Sequence, residues 1–227
     1  MSRLHNFLRW LGRNILRVVA RVEVQGLEKF PAAGPVLVVN NHINFLDGLL
    51  TVVYFPRRVI AFTKAENMEK KSPLALLLRI WGAIPVRRET LDVEALRSAL
   101  AALEAGKVLL IDPEGTRSHH GRLQEARPGV VFLAQHSGAA ILPVAIWGQE
   151  HFREQLCRLR RATVTIRVGQ PFILAGGRRR IRQEERGRIL RQVMYQLAAL
   201  LPPDYRGVYA DLEHASDDAL SFLPDAT

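Results

Sequence analysis

Apolar positions along the chain follow two rhythms. Val36-Leu37-Val38-Val39, Val108 to Ile111 and Ile141 to Trp147 are continuous apolar runs, the pattern of strands covered on both faces. Val22 to Val24, Arg58 to Phe62, Ala83 to Val86 and Thr163 to Val168 read as further short strands. Between them the spacing turns helical. Leu91, Ala95, Leu96, Ala99, Leu100 and Leu103 fall on one helical face within Leu91 to Ala105, and Gly106 supplies a stop. Ser72-Pro73 opens a helix over Leu74 to Ile80. Phe45 to Tyr54 and Gly129 to Gln135 suit helices, and a long one, Glu184 to Leu201, closes at Pro202-Pro203. Pro143, inside an apolar run, fits a strand entry or a sheet edge. Strands of buried type alternating with helices predict an α/β fold: a single domain whose mostly buried, mixed or parallel central sheet is flanked by helices, plus an N-terminal amphipathic helix.

That N-terminal segment has its own pattern. Arg9, Arg13, Arg17 and Arg21 recur every fourth residue, with Arg3 before them and no acid among residues 1–21. Leu4, Phe7, Leu8, Trp10, Leu11, Ile15, Leu16, Val18 and Val19 fill the intervals. Residues 1–21 therefore read as a basic amphipathic helix of the membrane interface, with its arginines directed at lipid phosphates. The arginines interrupt any apolar stretch of signal-peptide type. No apolar run reaches the residues, about 18, that a membrane-spanning helix needs.

Charge divides the chain of 227 residues. Residues 207–227 carry five acids and no Lys or Arg, so the 32 bases of residues 1–206 face only the other 17 acids. This suggests a body, residues 22–206, followed by an acidic tail, 207–227. A body so basic is drawn to polyanions: nucleic acid, an anionic membrane surface or a phosphorylated substrate. Nucleic acid is disfavoured, because aromatic residues are 7% of the chain and the Arg clusters lack Phe or Tyr neighbours. The one cysteine, Cys157, forms no intrachain disulfide and has no histidine motif beside it to activate it. No Cys/His spacing suggests a metal site.

Two motifs carry candidate chemistry, each directly after a strand. In open α/β sheets, ligands gather beyond the carboxyl ends of strands. Asn40-Asn41-His42-Ile43-Asn44-Phe45-Leu46-Asp47 follows the first apolar run. A neutral imidazole at His42 can accept a hydroxyl proton, and a carboxylate on its other nitrogen would steady it. On a regular helix, positions five apart point about 140° away from each other. Asp47 therefore reaches His42 only if His42 precedes the helix and the chain turns between them. Asp112-Pro113-Glu114-Gly115-Thr116-Arg117-Ser118 follows the second run. Its glycine permits close backbone approach, and Arg117 offers a fork matched to a phosphate, with donors from Thr116 and Ser118. Arg88, closing Gly82-Ala83-Ile84-Pro85-Val86-Arg87-Arg88, is a second anion contact, and Arg178-Arg179-Arg180 with Arg182 adds to a basic rim.

The order of these blocks, ending in Leu142-Pro143-Val144, resembles the glycerophospholipid acyltransferase family, in particular bacterial 1-acyl-sn-glycerol-3-phosphate acyltransferases. The likeness runs from about Val22 to about Gln170. Lys64-Ala65-Glu66 also resembles a basic segment of the family. Asp112 departs from it, standing where an aromatic or apolar residue is usual. The N-terminal region departs too, offering one short helix where many members have longer membrane segments.

The resemblance implies transfer of a fatty acyl group from acyl-CoA or acyl carrier protein to the 2-hydroxyl of 1-acyl-sn-glycerol-3-phosphate. It implies His42 as general base, Asp47 as its orienting carboxylate, and an acceptor phosphate held by the loop Glu114, Gly115, Thr116 and Arg117 with Arg88. Lys64, or backbone N–H groups around Gly115, would serve the oxyanion. A thioester is already activated, so no metal or cofactor is expected. The expected partners are a membrane lysophospholipid, the acyl donor and an anionic membrane surface, with the protein peripheral on the cytoplasmic face. The rival readings are a related acyltransferase acting on another lysolipid, a thioester hydrolase, and a non-catalytic basic protein that binds membranes or polyanions.

Overall fold

The structure is a computed structural model that describes residues 3–87, 92–177 and 181–224. In chain order its elements are α1 (Arg3–Val19), β1 (Ala20–Gln25), β2 (Val36–Asn40), α2 (Leu46–Tyr54), β3 (Val59–Lys64), α3 (Ala65–Glu69), α4 (Pro73–Trp81), β4 (Ile84–Val86), α5 (Val93–Glu104), β5 (Val108–Ile111), α6 (Gly129–Ser137), β6 (Ala140–Trp147), α7 (Phe152–Cys157), β7 (Ala162–Val168), β8 (Phe172–Leu174), α8 (Gln183–Leu200) and β9 (Leu220–Phe222).

The strands form one mixed sheet ordered β1-β7-β6-β2-β5-β3-β4, with β8 pairing β6 and β9. Strands β6, β2, β5, β3 and β4 run parallel, and β7 is antiparallel to β6. Alternate side chains of the central strands enter opposite cores. Val36 and Val38 of β2, Val108 and Leu110 of β5, and Leu142, Val144 and Ile146 of β6 join Leu16 of α1 and Leu46, Leu50 and Val53 of α2. Leu37, Val39, Leu109, Ile141 and Ala145 point the other way, into the core shared with α5, α6 and α8. Two covered faces explain why these strands read as unbroken apolar runs.

Local signals act where the sequence places them. Ser72 accepts the Ala75 N–H at 3.1 Å and opens α4, and Asp92 accepts the Ala95 N–H at 2.9 Å and opens α5. Pro143 departs from the expected edge position: it lies within central β6, opposite Val39. On its other side β6 changes partner, from β8 at Ile141 to β7 at Val144. At such a junction a residue without an N–H is tolerated, and its carbonyl still accepts the Gly169 N–H at 2.9 Å.

α1 departs further from expectation. Arg13 donates to the Val53 and Tyr54 carbonyls at 2.9 and 3.1 Å, and Arg9 donates to the Phe55 carbonyl. These are the carbonyls at the C-terminus of α2, where partial negative charge collects and intrahelical donors run out. The two arginines therefore face the body rather than lipid. His5 also faces inward, its ring 5.0 Å from that of Trp81. Leu4, Phe7, Trp10, Leu11, Ile15 and Val18 are left exposed on the outer side, and Arg3, Arg17 and Arg21 are exposed as well.

The segment set apart by its acidity packs onto the body. Asp218 pairs with Arg188 and accepts from Gln192 at 2.5 Å, and Gln192 in turn accepts the Ala219 N–H at 3.0 Å. Tyr209 and Leu220 are buried. One of the acids that distinguish 207–224 in sequence, Asp218, thus docks the segment on Arg188 and Gln192 of α8.

Candidate active site

The carboxyl ends of β2, β5 and β6 converge because the three strands are adjacent and parallel. β2 and β5 are in register at Val39 and Ile111, so the loops that follow start side by side. They are then stitched together. The His42 N–H donates to Glu114 Oε1 at 3.1 Å, and the Ser118 N–H donates to the His42 carbonyl at 2.7 Å. On the other side, the Asn41 side chain mimics a strand residue: it donates to the Ile146 carbonyl at 2.7 Å and accepts the Ile146 N–H at 2.8 Å.

His42 precedes α2, as the five-residue spacing requires. Its Nδ1 lies 3.0 Å from Asp47 Oδ2. The same oxygen accepts the Ile43 and Asn44 N–H groups at 2.7 and 2.9 Å. Asp47 is thus an acidic residue of the first turn of α2, folded back over the turn that leads into the helix. Its carboxylate has 0% exposure, whereas the His42 side chain keeps 13%. A carboxylate only accepts, so Nδ1 carries the proton and Nε2 keeps the lone pair. This is the tautomer of a general base. Asp112 Oδ2 lies 3.8 Å from the same Nδ1. The residue that breaks the family pattern therefore adds a second negative charge beside the ring, one that favours the imidazolium.

Glu114, grouped with the phosphate loop by sequence, works inward. Its second oxygen accepts the Gln124 N–H at 3.0 Å, so one oxygen ties the loop after β2 to the loop after β5 and the other closes the loop after β5 on itself. Burial pushes its carboxyl above the usual range, while the N–H groups of His42 and Gln124 pull the other way. Gly115 turns the loop with φ +71°, and a Cβ there would meet Arg127 Nε at 2.9 Å. Beyond it Thr116 and Arg117 are exposed. Arg117 lines a cleft of about 960 Å³ together with Ile43, Asn44, Phe45, Gln149 and Arg153. Lys64 stands exposed at the end of β3, with β5 between its strand and β2. The Gly115 N–H is already given to the Asp112 carbonyl at 3.0 Å. Arg88 and Arg178 to Arg180 lie outside the described residues. Among the described residues no cluster of His, Cys, Asp and Glu is arranged to hold a metal. Cys157 is exposed at the end of α7.

Gln149, absent from the sequence reading, anchors the carboxylate of the His42–Asp47 pair. Its Nε2 donates to Asp47 Oδ1 at 2.7 Å, and its carbonyl accepts from Asn44 Nδ2 at 2.7 Å. Gln149 is fully buried. Asp47 Oδ1 and the Ile146 carbonyl, 3.3 Å away, are both acceptors, so only the amide nitrogen can face them. Gly148 places it there. Gly148 has φ +91°, and a Cβ would come within 2.2 Å of the Thr163 carbonyl oxygen. A lone Gly-Gln pair after a strand gives no local sign of this. Only the adjacency of β6 to β2 reveals it.

A family model described as Acyltransferase matches residues 21–147. The 1-acyl-sn-glycerol-3-phosphate acyltransferase alpha of Homo sapiens is 31% identical over 135 residues, 58% of this chain and 47% of that protein. A 1-acyl-sn-glycerol-3-phosphate acyltransferase of Borreliella burgdorferi is 26% identical over 134 residues, 58% of this chain and 53% of that one. The chain spans about half the length of such relatives. The crystal structure of the 1-acyl-sn-glycerophosphate (LPA) acyltransferase PlsC from Thermotoga maritima shares the fold. Its TM-score is 0.69 at 24% identity, covering 86% of this chain and 78% of that one.

Proposed function

The chain belongs to the acyltransferase family, and from that premise we propose that it moves a fatty acyl group from a thioester donor to the 2-hydroxyl of 1-acyl-sn-glycerol-3-phosphate, giving phosphatidic acid. The observation that carries this reading is the 3.0 Å contact of His42 Nδ1 with the buried Asp47 carboxylate, on a loop bonded directly to the loop that presents Arg117.

The steps follow from that geometry. His42 Nε2 takes the hydroxyl proton as the oxygen attacks the thioester carbonyl. Asp47 and Asp112 stabilise the imidazolium that forms. The tetrahedral oxyanion collapses, the C–S bond breaks, and the thiolate recovers the proton from His42. Arg117 forks onto the acceptor phosphate, with Arg88 as its partner. Lys64 or a loop N–H stabilises the oxyanion. The thioester supplies the activation, so the scheme uses no metal or cofactor. Acyl-CoA and acyl carrier protein both present such a donor.

Peripheral attachment on the cytoplasmic membrane face belongs to the same proposal. The exposed stripe Leu4, Phe7, Trp10, Leu11, Ile15 and Val18 supports it. No helix among the described residues is long and apolar enough to cross a membrane.

The test is thiol release from acyl-CoA and from acyl carrier protein, with and without the lysophospholipid. His42→Ala should lower kcat by about 10²–10⁴-fold in a variant that stays folded, its unfolding temperature a few degrees lower because Asp47 loses the Nδ1 donor. Near-wild-type turnover by the folded variant would overturn the mechanism. Thiol release by the wild type that ignores the acceptor would indicate a hydrolase instead.

A further inference from the structure

The α7–β7 turn contains a feature that the fold does not explain. Helix α7 ends in a Schellman arrangement: the Arg160 N–H donates to the Gln155 carbonyl at 2.8 Å and the Leu159 N–H to the Leu156 carbonyl at 3.0 Å. The residue at its left-handed position is Leu159, with φ +54°. Glycine takes that conformation without strain, whereas a leucine does not. Among the described residues Leu159 is the one non-glycine with positive φ. Packing does not offset the strain, because Leu159 is 95% exposed. Arg158, Arg160 and Arg161 surround it, all exposed, and Leu156 is exposed one turn earlier. Arg158 shares its charge with Glu154 at 3.0 Å.

Two placements give this tip a partner. β7 is antiparallel to β6, and β6 is parallel to β2. The turn entering β7 therefore lies at the same end of the sheet as His42, and Phe152 and Arg153 of α7 line the cleft beside the catalytic loop. Arg161 also donates to the Ala20 carbonyl at 3.1 Å, which fixes the turn against the end of α1. There Ile15 and Val18 continue the exposed apolar stripe.

We propose that Leu156 to Arg161 is a second lipid contact, in which Leu159 enters the interface of an anionic bilayer and the arginines meet its phosphates, bringing that surface to the catalytic end of the sheet. This rests on the reading of the acceptor as a membrane lipid. The apolar tip within a ring of guanidinium groups matches the layering of a lipid surface, apolar below and negative above. Contact through the single helix α1 would leave the protein free to roll about the helix axis. A second contact at the catalytic end fixes that roll.

The experiment is co-sedimentation with vesicles of equal parts phosphatidylcholine and phosphatidylglycerol, run beside thermal unfolding. Leu159→Gly should weaken partitioning about tenfold while raising the unfolding temperature, because the strain is gone. Arg160→Gln should weaken it about fivefold. Leu159→Trp, which keeps an apolar tip, should retain binding. Wild-type partitioning by Leu159→Gly would overturn the inference, as would weaker binding coupled to a lower unfolding temperature, which would assign Leu159 to the fold. A wild-type protein that ignores the vesicles altogether would instead sink the membrane reading beneath it. If Leu159→Gly has no effect while Phe7→Ser with Trp10→Ser abolishes binding, only the second contact is refuted.

Discussion

Removing one buried amide should separate the chemistry of the site from its fold. In Gln149→Leu, Asp47 keeps the three donors on Oδ2, from His42, Ile43 and Asn44, but Oδ1 loses the Gln149 Nε2 donor now 2.7 Å away. Asp47 has no contact with solvent, so water cannot replace that donor. A hydrogen bond to a buried charged group contributes about 1.5–3 kcal/mol. In a domain of this size the loss lowers the unfolding temperature by about 3–12 °C. The His42, Ile43 and Asn44 donors still serve the Asp47 carboxylate. The charge persists while its orientation is freed, so His42 is held less firmly in the productive tautomer. Loss of a supporting partner of this kind costs about 10–100-fold, and it should fall on kcat with KM for both substrates unchanged. Gln149→Glu sharpens the test. Two carboxyls at that distance cannot both ionise at neutral pH, so they share a proton. The shared proton takes the place of the amide donor and the pair carries one charge through the acid limb, as Asp47 does alone, so that limb stays in place and kcat falls only as rising pH removes the shared proton. Steady-state kinetics from pH 5.5 to 9 reads both effects. Wild-type kcat in a destabilised Gln149→Leu would show that Asp47 needs no anchor.

Two further outcomes follow from the same coordinates. Arg117→Ala should raise KM for the phosphorylated acceptor about 10–100-fold with a smaller change in kcat, since charge-assisted hydrogen bonds to phosphate are lost; an unchanged KM removes Arg117 from the phosphate site. Burial beside Trp81, then the nearby Arg58 charge, holds His5 below the usual imidazole range, with a hydrogen bond to the Ile80 backbone opposing; its stabilising contribution is therefore present above pH of about 6.5 and lost as pH falls below it, so thermal unfolding should weaken between pH 7 and 5 in the wild type and less in His5→Phe.

The sheet was legible where both faces are covered. Val36 to Val39, Val108 to Ile111 and the run ending at Trp147 announce their strands because every position is apolar, and α4 begins at Ser72-Pro73 as its cap dictates; the helix read from Leu91, a position outside the described residues, is opened by Asp92, a cap absent from the sequence reading. Strand order was not legible, since periodicity records which residues are buried and not against what. That is why Gln149 and Asp112 escaped notice as partners of the His42–Asp47 pair: one is brought by the neighbouring strand β6 and the other by β5. Short elements also escaped. α3, α7, β8 and β9 are three to six residues long, too short for a period to show. β8 and β9 exist because each supplies the other with backbone partners, Phe172 opposite Phe222 and Leu174 opposite Leu220.

The orientation of α1 shows how backbone accounting can reverse a reading taken from charge. A stripe of arginines spaced four apart looks like a headgroup-facing edge, and by composition alone nothing distinguishes that from a stripe that faces protein. The deciding fact lies elsewhere in the chain. Helix α2 ends at Tyr54 just before Pro56, so the carbonyls of Val53, Tyr54 and Phe55 have no following helical N–H groups to serve them. Buried carbonyls must find donors. Arg9 and Arg13 meet them, and Arg13 also lies over the Tyr54 ring at 5.6 Å. Turning those two guanidinium groups inward rotates the opposite side of α1, with Phe7, Leu11 and Ile15, out of the molecule. Of the residues from which the membrane helix was read, Arg9 and Arg13 are thus turned to the protein, and the apolar side is the one exposed. The two arginines hold the helix to the body, and the apolar stripe is displayed because they do so, which is the arrangement that the proposed membrane contact uses.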